Sequence, residues 1–243
     1  MRFPLLILLI SAILAAASTG IAQPIQPGDY VTEGGWGNLT VKRGKDGKIS
    51  FRIFAMGGNA HMCDLGGEIN NGRAVLTESS EDGKPCVVIF TPKGDTIGVA
   101  PQTPEPCRYY CGMRASFEGT YQRPPAGCSS REMAKTRSEF KRLYDKKQYS
   151  EALAKLEPVL SNCSGILHWL DKGRIQNDLA VTLHKLGRYD DCIKILEPLA
   201  ADASKNDSQI RDDYPPSDAE SYLPIVRSTR TNLKLCRTGK GKR

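Results

Sequence analysis

The pattern of hydrophobic and polar residues divides the chain into two parts. From residue 23 to about residue 128, apolar and polar residues alternate with a period of two, most clearly in residues 49–54. This alternation is typical of half-buried β-strands. Short candidate strands, one of them a continuous apolar run at residues 86–90, recur with turn residues between them, at residues 28–33, 39–42, 49–54, 74–77, 86–90, 96–99 and 115–121. The pattern predicts a small antiparallel β-barrel or sandwich.

Glycine and asparagine mark the turns of this predicted β domain. Asn70-Asn71-Gly72 predicts a hairpin turn, because both residue types tolerate a positive φ. Gly57-Gly58-Asn59 and Gly66-Gly67 also predict turns. The first segment begins with Gly28-Asp29-Tyr30 and the last ends with Gly119-Thr120-Tyr121. Because these ends are similar, we expect the two segments to pair and close the sheet.

After Cys128 the pattern becomes helical. Ser129 and Glu132 have the spacing of a capping box, in which the Ser hydroxyl caps the helix and the Glu carboxylate reaches back. Apolar residues then recur at spacings of three and four, at Phe140, Leu143 and Tyr144. A closing helix is predicted to begin at Pro216, and the polar segment 202–216 before it is predicted to be a loop. The predicted fold class is therefore α+β, a β-barrel or sandwich followed by an α-helical array.

The helical part contains a repeat with a period of 40 residues. Residues 148–158 align with residues 188–198, with a Tyr, an acidic residue, a small residue, an aliphatic residue and Leu-Glu-Pro in register. Repeats of this length are typical of stacked helical hairpins.

These residues resemble the tetratricopeptide repeat family over about residues 130–236. The matching positions are Leu179, Ala180, Leu183, Leu186, Gly187, Arg188, Tyr189, Cys192 and Leu196, and in the preceding repeat Tyr149, Ala152 and Leu156. The chain departs from the family at Phe140, where a small residue is usual, and in its period, which is usually about 34 residues. The resemblance implies two repeats over about residues 130–202, one of them degenerate, with a closing helix that covers the last apolar face.

The resemblance also implies a concave surface that binds a peptide or a protein. Candidate partner-binding residues on this surface are Trp169, Asn177 and Lys185, which are spaced by eight along the third helix. For Trp169, packing in the core is an equally good interpretation.

Residues 1–22 have the pattern of a signal peptide. Arg2 precedes an apolar run at residues 5–17, and Gly20 and Ala22 give the small-x-small pattern that predicts cleavage before Gln23. The run is shorter than the roughly 20 residues that a membrane span needs, and no later segment is apolar enough to span a membrane. We therefore expect a periplasmic or secreted protein, with a Gram-negative periplasm favoured.

The cysteines all follow the predicted cleavage site. They are Cys63, Cys86, Cys107, Cys111, Cys128, Cys163, Cys192 and Cys236. An even number in an exported chain predicts disulfides rather than a metal site, and no pair has the C-x-x-C spacing. The favoured pairs are local: Cys63–Cys86, Cys107–Cys111, Cys128–Cys163 and Cys192–Cys236. Cys111–Cys128 is a competing pair, and Cys192 has the alternative of a buried free thiol.

The basic charge is concentrated at the C terminus. The formal net charge is +7, and Arg237, Lys240, Lys242 and Arg243 supply four of these charges. No basic face interleaved with aromatic residues accompanies them, so a nucleic-acid partner is not expected. The predicted regions are a signal peptide at residues 1–22, a disulfide-stapled β domain at 23–128, a helical domain at 129–236 and a basic tail at 237–243.

The sequence carries none of the common catalytic motifs. It has no nucleophile elbow, no zinc-protease motif and no phosphate-binding loop, so we expect a protein that is not an enzyme and needs no cofactor. One hypothesis is an exported scaffold that binds a protein through its helices. A second is a β domain that blocks a cell-wall hydrolase, because small bacterial lysozyme inhibitors are similar in size, export and β-barrel architecture. An enzyme with an unfamiliar site is the third alternative.

Overall fold

The computed structural model describes residues 23–77 and 83–241. The predicted signal peptide at residues 1–22, residues 78–82 and the last two residues lie outside this part of the chain. The described chain forms an eight-stranded antiparallel sheet, nearly closed into a barrel, followed by packed helices. The predicted α+β fold class is therefore confirmed.

The strands follow the alternating segments, with one addition. They are β1 (Gly28–Thr32), β2 (Gly37–Arg43), β3 (Ile49–Met56), β4 (Met62–Ile69), β5 (Arg73–Leu76), β6 (Cys86–Lys93), β7 (Thr96–Pro101) and β8 (Gly119–Gln122). Their inward-facing side chains form one buried apolar cluster, with Leu39, Ile53, Val88 and Tyr121 fully buried. Alternation therefore directs every second residue into the barrel.

The sheet is closed by its first and last strands. Neighbouring strands follow the order β4-β3-β2-β1-β8-β7-β6-β5. Thr32 of β1 pairs with Tyr121 of β8, so the predicted pairing of the two end segments is confirmed. The remaining seam lies between β4 and β5, where the described residues show an isolated bridge between Asn70 and Arg73 across the predicted hairpin turn.

β4 is the strand that the sequence pattern did not predict, and the turn expected at Gly66-Gly67 is wrong. Both glycines lie inside β4, paired with β3. A Cβ atom on Gly66 would lie 2.9 Å from the carbonyl oxygen of Phe51, and one on Gly67 would lie 2.7 Å from Leu76 Cδ2. Glycine is favoured at residue 66 because the backbone of the neighbouring strand β3 approaches closely, which is a known role of glycine inside strands.

The helices begin in the loop after β7 and dominate the chain after residue 129. They are α1 (Pro104–Cys107), α2 (Ser130–Asp145), α3 (Tyr149–Cys163), α4 (Trp169–Lys185), α5 (Tyr189–Leu196), α6 (Ala200–Ser204), α7 (Asp207–Asp213) and α8 (Pro216–Lys240). The predicted capping box of α2 is confirmed, since the Ser129 hydroxyl accepts from the Glu132 N–H and the Glu132 carboxylate accepts from the Ser129 N–H.

The loop predicted at residues 202–216 is wrong, because this segment contains the end of α6 and all of α7. Asn206 caps α7 in a second capping box with Gln209. Ile210 of α7 is fully buried, and this one apolar anchor fixes an otherwise polar helix. Residues 237–240 of the predicted basic tail form the last turn of α8, where positive charge is favourable against the helix dipole.

The longer helices stack on one another. α3 packs against α2 and α4, α5 packs against α4, and α8 packs across α4 and α5. The bond between Cys128 and Cys163 joins the start of α2 to the end of α3, so these two helices form an antiparallel hairpin. The bond between Cys192 and Cys236 joins α5 to α8. Both pairings agree with the prediction.

The two predicted pairings within the barrel are wrong. Cys63 is bonded to Cys111, and Cys86 is bonded to Cys107. Cys107 ends α1 beside β6, whereas Cys111 forms a β-bridge with Cys63 of β4. Proximity in sequence therefore misleads here, because residues 107 to 111 cross from one strand of the barrel to another. None of the described cysteines is free.

The barrel is docked on the helices at two places. In the first, the Gly34 N–H donates to the Gly165 carbonyl at 2.7 Å. Gly35 follows with a φ of 64°, and a Cβ atom on it would lie 2.7 Å from the backbone nitrogen of His168. This turn of the barrel therefore packs backbone against backbone on the loop between α3 and α4.

The second docking contact caps α8. The Asn59 side-chain oxygen accepts from the Ser217 N–H at 2.9 Å, and the Asp218 carboxylate accepts from the Asn59 N–H at 2.9 Å. Asn59 thus supplies from the barrel the cap that Pro215, at the N-cap position, cannot provide. The two contacts hold the barrel and the helices in one arrangement.

Candidate functional site

Residues 108–114 are held at one end of the barrel by disulfides. The Cys86–Cys107 bond precedes this segment and the Cys63–Cys111 bond lies within it. The Gly112 N–H also donates to the Met62 carbonyl at 2.9 Å. We call residues 108–114 the clamped segment. The two disulfides and this hydrogen bond attach its backbone to β4 and β6. Its exposed side chains therefore lose little conformational freedom when a partner binds.

The clamped segment carries the two most exposed large apolar side chains in the described structure. The exposed fraction is 68% for Tyr109 and 81% for Met113. Met56 and Met62, at the neighbouring ends of β3 and β4, are also exposed, at 41% and 50%. Large apolar residues clustered at the surface are typical of an interaction site rather than of a solvated face.

Two arginines without partners flank these side chains. Arg108 and Arg114 are exposed, and within the described residues neither forms a hydrogen bond or an ion pair through its side chain. Arg52, by contrast, pairs with Asp64 at 2.8 Å. We call Met56, Met62, Arg108, Tyr109, Met113 and Arg114 the clamped face. Arginine, tyrosine and methionine are the residue types enriched at the cores of protein interfaces.

A pocket opens under the clamped segment. Its volume is about 330 Å³, and it is lined by Pro101, Pro104, Cys107, Arg108, Cys111, Gly112, Met113, Ala115, Ser116 and Phe117. The lining is mainly apolar, with the Arg108 guanidinium as the charged group. This combination suits an apolar side chain of a partner that inserts beside an acidic group.

The three candidate residues of the helical part do not share a surface. Successive positions eight residues apart are rotated by about 80° on a helix with 3.6 residues per turn. Lys185 is exposed at the end of α4, but Asn177 is buried between α4 and α8. Its side-chain amide donates to Thr229 Oγ1 at 2.9 Å and its oxygen accepts from Asn232 Nδ2 at 3.0 Å. Asn177 is therefore not a surface residue, and that assignment is corrected.

Trp169 is partly exposed but belongs to an aromatic cluster. Its ring stacks on Tyr214 at 5.8 Å between centroids and meets Tyr222 edge to face at 4.9 Å. Both tyrosine hydroxyls donate to Asp202, at 2.8 and 3.0 Å. These contacts support the alternative interpretation of Trp169, in which it packs in the core.

Asp202 is the shared acceptor of this cluster, and Lys205 also donates to it at 2.7 Å. Although burial alone raises the pKa of Asp202, the hydrogen bonds from Lys205, Tyr214 and Tyr222 together hold that pKa below its ordinary value. Burial and the contact with Asp202 raise the pKa of both tyrosines. The carboxylate therefore stays ionised and the phenols stay protonated, which is a satisfied structural network rather than an acid–base pair.

A second groove, of about 560 Å³, lies at the junction of barrel and helices. His168 lines it, and burial lowers the pKa of this imidazole. The carboxylates of Asp29 and Asp171 also line it, and Thr40 Oγ1 donates to Asp29 at 2.7 Å. The groove is the seam beside the docking contact at Gly35, and its acidic groups are already partnered by Thr40 and by Arg174.

The part of the chain that the structure describes comprises residues 23–77 and 83–241. That part of the chain has no group of three or more His, Cys, Asp or Glu side chains placed to hold a metal ion. None of its helices is long and apolar enough to cross a membrane. Searches with this chain match no protein family, no curated protein and no solved structure.

Sequence reasoning missed the clamped face. The signal was present around residues 107–111, where the sequence analysis predicted only a local disulfide between Cys107 and Cys111. The useful feature was the composition between and after those cysteines, namely two arginines, two tyrosines and a methionine within seven residues.

Proposed function

We propose that this chain is an exported, non-enzymatic scaffold that binds another protein through the clamped face of its barrel. The observation that carries the proposal is the convergence of unpartnered arginines and exposed Tyr and Met side chains on a segment fixed by two disulfides. Six of the eight exposed large apolar side chains in the described structure belong to the barrel: Phe54, Met56, Met62, Val75, Tyr109 and Met113.

The helices play a supporting role in this proposal. Their resemblance to tetratricopeptide repeats suggests a stacked array, which holds the barrel through the contacts at Gly34 and Asn59. The α4 surface near α2 is occupied by its own ion pairs, in which Arg137 lies 3.7 Å from Asp171 and 3.9 Å from Asp178. A partner at this surface would have to displace them.

An exported location is consistent with the proposed role of a protein-binding scaffold. Four disulfides fit an oxidising compartment outside the cytoplasm. We propose that the leader at residues 1–22 is cleaved before Gln23 and that the mature protein is periplasmic or secreted.

We expect the double substitution Arg108→Ala/Tyr109→Ala to reduce partner binding at least tenfold. Truncating a single hot-spot Tyr or Arg at a protein interface costs about 2 kcal/mol or more. The measurement uses the mature protein immobilised as bait and the exported proteins of the organism that produces it, with quantitative mass spectrometry of what is retained.

The matched control is Arg73→Ala/Val75→Ala, which removes an exposed Arg and an exposed apolar side chain from β5. A partner of the clamped face is retained by this control and lost from the double variant. If both variants retain the same proteins as the native chain, the clamped face is not the binding site.

A second candidate function is inhibition of a cell-wall hydrolase. The observation that favours it is that two disulfides fix the clamped segment while Tyr109 and Met113 are exposed, since a fixed, exposed segment can enter the cleft of an enzyme. If lysozyme is the target, the mature protein lowers the rate at which lysozyme clears a peptidoglycan suspension, and Arg108→Ala/Tyr109→Ala does not. Equal clearance with and without the native protein would dismiss lysozyme as the target.

A further inference from the structure

Three of the five methionines in the chain lie exposed at one place on the barrel. Met56 ends β3, Met62 begins β4, and Met113 lies in the clamped segment. Met133, by contrast, packs against the helical core. Methionine is among the residue types most often buried, so three exposed thioethers in one place call for an explanation.

The backbone brings these methionines together. Met56 and Met62 stand directly opposite each other across β3 and β4 and both face outward. The Cβ atoms of such a pair are about 4.5–5.5 Å apart. Gly112 is hydrogen-bonded to Met62, so Met113 follows within one residue of that contact. Gly57, which follows Met56, packs against the backbone just after Met113.

His61 places an imidazole among them. A Cβ atom on Gly112 would lie 2.6 Å from His61 Nδ1, so the ring lies over Gly112, beside Met62 and Met113. Within the described structure the His61 side chain has no hydrogen bond or ion pair. The nearest carboxylate on this face of β4, that of Asp64, is paired with Arg52.

We propose that Met56, Met62, Met113 and His61 form a binding site for Cu(I). Thioether sulfur is a soft ligand that selects Cu(I), and imidazole also suits copper, whereas Mg²⁺ and Ca²⁺ prefer the oxygen ligands that are lacking here. Methionine side chains have three rotatable bonds, so exposed thioethers can close around an ion without movement of the backbone. The Cu(I) site shares its three methionines with the clamped face, but it depends on their sulfur atoms and on His61 and not on the arginines or Tyr109.

The test is a titration of the mature protein with Cu(I), kept reduced by ascorbate, in competition with the chromophoric chelator bicinchoninate. The native protein is expected to withdraw one Cu(I) per chain from the chelator. Met62→Leu is expected to weaken binding by about tenfold or more, on the scale seen for changes around metal ligands. The triple substitution Met56→Leu/Met62→Leu/Met113→Leu is expected to abolish binding, and His61→Gln to weaken it.

Leucine keeps the size and apolarity of methionine and removes only the sulfur, so these variants are expected to fold normally. Met133→Leu is the control and keeps full affinity. The proposal is overturned if the native protein withdraws no Cu(I), or if the triple variant withdraws as much as the native protein.

The outcome is separable from that of the protein-binding proposal. Arg108→Ala/Tyr109→Ala keeps Cu(I) affinity and loses the partner, whereas His61→Gln, at a residue outside the clamped face, keeps the partner and weakens Cu(I) binding. Failure of either proposal alone therefore leaves a distinct pattern in the two assays.

Discussion

Removal of the Cys63–Cys111 disulfide is expected to abolish partner binding and to lower the free energy of unfolding by about 4 kcal/mol. The bond spans a sequence separation of 48 residues. In the chain-entropy account, a cross-link over a loop of this length restricts the unfolded chain by about that amount. Partner binding is expected to be lost as well, because this bond fixes the clamped segment against β4. Cys63→Ala/Cys111→Ala is measured by urea unfolding and by retention of the partner.

The control for this prediction is Cys192→Ala/Cys236→Ala. That bond spans a similar separation of 44 residues but lies between α5 and α8, away from the clamped face. Its removal is expected to lower stability by a similar amount while partner binding remains at temperatures where the protein stays folded. Native-like binding by the Cys63→Ala/Cys111→Ala variant would show that the clamp is not needed.

Features that depend on local pattern could be predicted from the sequence. Short alternating or apolar segments between turn residues located seven of the eight strands, and the similar ends of the first and last segments indicated that they pair. The box at Ser129 located the start of α2. These predictions succeed because each strand or helix must bury one face, and that requirement sets the pattern of apolar residues close together in the sequence.

Features that depend on distant neighbours could not be predicted. Gly66 and Gly67 have a turn composition, and only the position of the Phe51 carbonyl oxygen shows why β4 favours glycine at residue 66. α7 is a helix because Ile210 finds a core to enter, although its other residues are polar. Short-range pairing of Cys107 with Cys111 was plausible until the path of the chain over the barrel was known. In each case the deciding partner is far away in sequence.

The candidate site was missed for a related reason. Met56, Met62 and the segment 108–114 are separated in sequence, and the sheet register brings them to one face. The exposure of a side chain also cannot be predicted from the sequence, since alternation alone does not distinguish an exposed Met from one that a helix covers. Arg108 and Arg114 become candidate binding residues only when the structure shows that they have no acidic partners among the described residues.

Substitution of Asn177 by Ala is expected to lower the free energy of unfolding by about 2–3 kcal/mol. The Asn177 amide donates to Gly173 and Thr229, and its oxygen accepts from Asn232, all within the buried contact of α4 with α8. Truncation leaves the Asn232 amide without its main acceptor, and a buried polar group left unpaired costs about 1–3 kcal/mol in addition to the lost packing. Chemical denaturation measures the difference.

Lys185→Ala is the matched control on the same helix, and its effect is expected to stay within about 0.5 kcal/mol, because Lys185 is exposed at the end of α4. Partner binding by Asn177→Ala, measured under conditions where the variant is folded, is expected to equal that of the native protein. A stable Asn177→Ala variant that loses its partner would instead return the binding surface to the helices. The two measurements therefore separate a structural role of Asn177 in the contact of α4 with α8 from a direct role in binding the partner.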